Sequence, residues 1–185
     1  MIEPAHTYVC LLRGINVSGR KVIRMADLRK LFESIGFGRV ETYLQSGNVV
    51  FESESAGASS LADRVKDEIE RWFGFDVPVI VRERRRFLRV REHNPLIGLE
   101  GIDEAKLHVT FLSRLPAATN LERLQSFDAA PERFAVRGDC VYLYCPNGYG
   151  RTTLSNNFLE RKLGMVATTR NWKTVNALHR ILCAR

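Results

Sequence analysis

Three strand–helix junctions, two of them bearing glycines, hold most of the residues whose types and spacing could do chemistry. The first, Gly14-Ile15-Asn16-Val17-Ser18-Gly19-Arg20-Lys21, has the G-x4-G spacing of a phosphate-binding P-loop. Arg20, however, stands where the phosphate-reaching lysine belongs, and Lys21 where the magnesium-ligating hydroxyl belongs. Nucleotide hydrolysis by that route is not expected. What stays is a glycine loop flanked by Arg13, Arg20 and Lys21, which either holds an anion through backbone N–H groups or is a long connection with solvated charges. In the second junction, Asn147 to Thr153, the glycines permit close backbone approach and Thr152 or Thr153 can cap a helix. Arg151 adds a bidentate donor suited to phosphate or carboxylate, although a capped helix after a turn explains the same residues. The third runs from Ala167 to Thr174, with Asn171 as the expected helix N-cap. Arg170 and Lys173 there oppose the helix dipole, a cost accepted where an anion binds. Trp172 either stacks on a base or sugar ring or packs in the core.

Other catalytic arrangements are missing from the chain. It has no G-x-S-x-G, no HExxH and no CxxC; Cys10, Cys140, Cys145 and Cys183 do not form a ligand pattern. His6, His93, His108 and His179 are scattered, so neither a metal nor a cofactor is expected. The first eight residues lack the basic and apolar regions of a secretory signal, which makes the cytoplasm the default. No apolar run approaches the ~20 residues of a membrane span, so no membrane partner is expected.

Charge points the other way, towards anionic partners. The 185 residues carry a formal net charge of +7. Residues 146–185 hold seven basic groups against the single acid Glu160. Such an excess favours nucleic acid, nucleotides or acidic headgroups. The run Arg84 to Arg91 is read instead as a solvated helix face, because Phe87, Leu88 and Val90 supply its packing side.

These residues must be positioned by regular elements, and the elements repeat. Thr7–Arg13 reads as a strand, Met25–Ile35 as an amphipathic helix, and Val40–Gln45 with Asn48–Ser53 as a hairpin through Ser46-Gly47. Leu61–Phe73 is a second helix, with Leu61, Val65, Ile69, Trp72 and Phe73 on its packed side, and Val77–Arg82 a fourth strand. The same order returns as strand Lys106–Ser113, helix Leu121–Phe127, hairpin strands Arg133–Arg137 and Cys140–Cys145, helix Thr153–Leu163, strand Met165–Thr169 and a final helix Trp172–Cys183. The expected class is α+β: two consecutive ferredoxin-like (βαββαβ) subdomains with antiparallel sheets, plus a C-terminal helix. The boundaries are 1–83, a basic helix and linker at 84–105, and 106–185. Tyr8 and Phe51 occupy strands that stack bases in RNA-recognition modules, but here they are read as core.

The segments Leu11-Leu12-Arg13-Gly14-Ile15-Asn16-Val17, Thr42 to Phe51 (TYLQSGNVVF) and Thr168 to Val175 (TTRNWKTV) resemble the signatures of the bacterial domain-of-unknown-function family 1697. Asn94-Pro95 and Leu107 to Leu112 resemble its middle segments; Ser18-Gly19 departs from the two glycines the family often shows. The resemblance implies a two-subdomain α+β fold with a ferredoxin-like half. It implies no activity, cofactor or catalytic residue.

The leading functional expectation is binding of a phosphate-bearing ligand, a nucleic acid or nucleotide. Its site comprises Arg13, Asn16, Arg20 and Lys21 of the first loop, Gln45 and Asn48 of the first hairpin, and Arg151, Arg170, Asn171 and Trp172 of the second half. Two alternatives stand beside it: a metal-free small-molecule enzyme with a cleft between subdomains, and a structural protein that forms homodimers through sheet edges or faces.

Overall fold

Central strands that read as unbroken apolar runs need cover on both faces, and the fold supplies it. The computed structural model describes residues 6–54 and 57–185; the segment before His6, on which the signal-sequence argument rests, lies outside them. The first half comprises β1 (His6–Leu12), α1 (Met25–Ser34), β2 (Gly38–Tyr43), β3 (Asn48–Ser53), α2 (Ala58–Phe73) and β4 (Val79–Glu83). The second repeats the order as β5 (Leu107–Leu112), α4 (Ala118–Gln125), β6 (Arg133–Arg137), β7 (Cys140–Tyr144), α5 (Asn156–Leu163) and β8 (Ala167–Asn171). Each fourth strand runs straight into a further helix: α3 (Arg84–Glu92) after β4, and α6 (Trp172–Cys183) after β8.

The sheets have the same topology, β2-β3-β1-β4 and β6-β7-β5-β8, with every neighbouring pair antiparallel. This is the ferredoxin-like arrangement in both halves. The chain divides into two units, one reaching Arg89 and including Leu178–Arg185, the other spanning Val90–Ala177.

In the first unit Tyr8, Cys10, Leu12, Val49 and Phe51 pack against Leu28, Leu31 and Phe32 of α1 and Leu61, Val65 and Ile69 of α2. The alternate residues Val9, Leu11, Val50 and Ile80 are buried too. Arg185 meets Glu41 on that face at 3.1 Å, and Arg84 Nε donates to the Leu182 carbonyl at 2.8 Å. Tyr8 and Phe51 therefore stack on each other inside the core, 5.6 Å apart, and the sheet presents no open stacking surface.

Local boundaries moved where side chains found other partners. The helix expected from Thr153 begins at Asn156, because Ser155 caps it by accepting from Phe158 N–H. Thr152 accepts from Leu154 N–H instead, and Thr153 Oγ1 donates to Glu132 at 2.8 Å. The strand expected at Met165–Thr169 lies at Ala167–Asn171. Trp72 departs most from expectation. It sits on the apolar stripe of α2 yet is 48% exposed, while Ile69 and Phe73 carry the packing of the last turn.

Candidate functional site

The first loop is held in one shape by an asparagine. Asn16 Oδ1 accepts from Ile23 N–H at 2.9 Å, while its Nδ2 donates to the carbonyls of Ile23 (2.9 Å) and Gln45 (2.8 Å). One side chain thus closes the neck of the loop and ties it to the β2–β3 hairpin. Inside the neck, Arg20 N–H donates to Val17 C=O at 3.0 Å, with Ser18 and Gly19 both at positive φ in a tight turn. Gly14, Asn16 and Lys21 also have positive φ. Arg20 and Arg24 point outward, and neither guanidinium makes a hydrogen bond or ion pair with the described residues. Lys21 Nζ donates to the Asp76 carbonyl, and Arg13 N–H to that of Pro78 at 2.9 Å, which fastens the loop to the chain leaving α2.

The hairpin beside it is built around Gly47. Its φ is 75°, and a Cβ there would lie 2.7 Å from Leu12 Cβ and 2.8 Å from Ile15 Cδ1, so only glycine fits. Its carbonyl accepts from Leu12 N–H at 2.8 Å. Asn48 is buried and donates to the Tyr43 carbonyl (2.7 Å) and to Ser46 Oγ (3.1 Å). Gln45 is exposed at the tip.

In the second unit the polar residues turn inward. Asn171 caps α6, its Oδ1 accepting from Thr174 N–H at 2.8 Å. Arg170 is buried and donates to Thr168 Oγ1 (2.8 Å) and the Thr169 carbonyl (2.9 Å). Trp172 is only 4% exposed, so its ring belongs to the interior. Arg151 lies exposed on a short 3-10 turn, Tyr149–Arg151. Beside that turn Thr169 Oγ1 meets Thr110 Oγ1 at 2.7 Å, accepts from Tyr149 OH at 3.0 Å and donates to Asn156 Oδ1 at 2.7 Å. His108 stacks on Tyr149 at 5.0 Å. Burial pushes its imidazole below the ordinary value and Lys106 pushes the same way, against the opposing hydrogen bond to the Lys106 carbonyl. The neutral ring donates from Nδ1 to that carbonyl at 3.1 Å, leaving Nε2 as an acceptor.

The family defined as "Protein of unknown function (DUF1697)" matches residues 5–142. The chain belongs to this family. No curated protein matches it. A solved structure, that of the conserved bacterial protein SP0830 from Streptococcus pneumoniae, superimposes with a TM-score of 0.77. That protein is 21% identical, and the match covers 97% of this chain and 99% of the other. At that identity it shows a shared fold.

The geometry explains the motifs of this DUF1697 member in structural terms. Asn16, Gly47 and Asn48 build one corner of the first unit, while Arg170 and Asn171 build the start of α6. Of the residues expected to bind, Arg13, Asn16, Lys21, Gln45 and Asn48 are gathered with Arg20 at that corner. Arg151, Arg170, Asn171 and Trp172 lie in the second unit. Among the described residues no group of His, Cys, Asp and Glu is assembled that could hold a metal ion, and no helix is long and apolar enough to cross a membrane. Trp72, placed by the sequence on the packed side of α2, is exposed in the last turn of that helix, just before the Gly74 cap.

Proposed function

We propose that this protein binds a phosphate-bearing ligand, a nucleic acid or nucleotide, at the corner formed by residues 13–24 and the hairpin tip. The carrying observation is the division of labour within the loop. Asn16 satisfies the neck internally, while Arg20 and Arg24 extend outward without internal partners among the described residues. A frame already fixed loses little entropy when an anion docks, and arginine offers a fork matched to phosphate oxygens. Arg13 and Lys21 add positive charge at the base, and Gln45 adds an exposed amide beside them. Four cysteines with no CxxC pair fit a reducing compartment, and we place the protein in the cytoplasm.

The test is fluorescence anisotropy with labelled single-stranded RNA, single-stranded DNA and duplex DNA at low and physiological salt. Binding that persists at physiological salt and weakens in Arg20→Ala/Lys21→Ala supports the reading. Binding that disappears with salt and ignores that substitution would reduce the +7 charge to general stickiness.

A further inference from the structure

Among the described residues of the first unit, the large apolar side chains left exposed are Val17, Val22, Leu44 and Trp72. All four belong to one connected corner. Val17 and Val22 sit on the loop held by Asn16, and Leu44 precedes Gln45, whose carbonyl accepts from Asn16 at 2.8 Å. Trp72 lies in the last turn of α2, two residues before the left-handed cap Gly74, after which the chain reaches Asp76, whose carbonyl accepts from Lys21 Nζ. Trp72 makes no ring contact or hydrogen bond with the described residues, whereas Phe73 turns inward and stacks with Phe75 at 6.2 Å. Trp72 is thus an indole held in water four residues before the carbonyl that Lys21 grips, and such a ring is suited to a flat partner that carries negative charge.

We propose that Trp72 is the stacking platform of the phosphate-binding corner, so that the ligand is a single-stranded nucleic acid or a free nucleotide. This rests on the phosphate-binding reading above and narrows it. A duplex keeps its bases stacked on one another and offers this indole no open face. A single strand offers a base to Trp72 and phosphates to Arg20 and Lys21 together. The other aromatic candidates are removed by burial: Tyr8, Phe51 and Trp172 lie in the interior.

The experiment uses the full chain with decathymidylate, the corresponding duplex and inorganic phosphate as probes. Trp172 is buried, so quenching of intrinsic emission on adding decathymidylate reports Trp72. Trp72→Ala is expected to abolish the quenching and weaken decathymidylate binding about 10-fold. Trp72→Phe should restore most of the affinity, and duplex and phosphate binding should be unchanged in both variants. Circular dichroism checks that the variants fold. If Trp72→Ala binds decathymidylate as tightly as the parent while Arg20→Ala/Lys21→Ala does not, stacking is wrong and the phosphate reading stands. Should the parent bind none of the three probes, both fall together.

Discussion

The two halves share a topology but extend different connections. The first half places its long connection between β1 and α1, residues 13–24, where the second has only Ser113–Ala117. The second places its long connection between β7 and α5, residues 145–155. The first loop ties its neck with one asparagine and turns Arg20 and Arg24 outward. The second folds Tyr149 and Thr152 inward, onto Thr169 and Leu154 N–H, so that its hydroxyls complete a network. Duplicated scaffolds can thus leave polar groups of one loop facing outward and consume those of the other in packing. What decides is whether the polar groups of a loop are consumed by neighbouring elements.

The sharpest way to break this contrast is at the hairpin glycines. Gly47→Ala should cost about 3 kcal/mol, since it combines a positive φ with a clash against Leu12 and Ile15. Gly138→Ala, at the equivalent turn, meets nothing within 4 Å and should cost about 1 kcal/mol. Urea unfolding measures both, and equal losses would erase the asymmetry between the corners.

Next come the two polar hubs. Asn16→Ala removes three hydrogen bonds and should cost about 2 kcal/mol, with new protease cleavage in residues 13–24. Thr169→Val, which keeps the shape and removes one hydroxyl, should cost about 1 kcal/mol and leave that loop protected. Cleavage that stays at the parental rate in Asn16→Ala would show that the staple does not hold the loop.

The second unit should also respond to acid through His108. Its folded pKa is lowered, so the unfolded chain binds the proton more tightly. Its contribution to stability is therefore full above the unfolded value of about 6.5 and declines as pH falls below it. His108→Gln should flatten that part of the stability–pH curve, and an NMR titration should place the ring below the unfolded value.

The smallest effects are confined to binding. Arg20→Ala/Lys21→Ala should reduce the salt slope of oligonucleotide binding by about 1 to 2, whereas Arg151→Ala leaves it unchanged. A comparable drop for Arg151→Ala would make the second loop a binding surface as well.

Much of the architecture was legible in the chain. Leu28, Leu31 and Phe32 at helical spacing, the glycine turns at Gly47 and Gly138, and the recurrence of the pattern led to two βαββαβ units, and these are present. Asn171 as an N-cap was readable too, because capping depends on residues three apart. Ser155 was harder to find, since Thr152 and Thr153 are equally good caps until Glu132, distant in sequence, claims one of them. The candidate site was half legible. Arg13, Arg20, Lys21 and Gln45 cluster as their loops suggested, while Asn16 and Asn48 turned out to be internal ties.

The tryptophans show where local information ends. By itself the sequence determined periodicity, turn chemistry and net charge, because these depend on residues a few positions apart. It could not say that Trp172 would be enclosed and Trp72 left in water, since both lie on apolar stripes of amphipathic helices. Only the tertiary structure decided that. Which side chains of a stripe are covered depends on what packs against the helix, and on α2 the core takes Ile69 and Phe73 and leaves Trp72 outside.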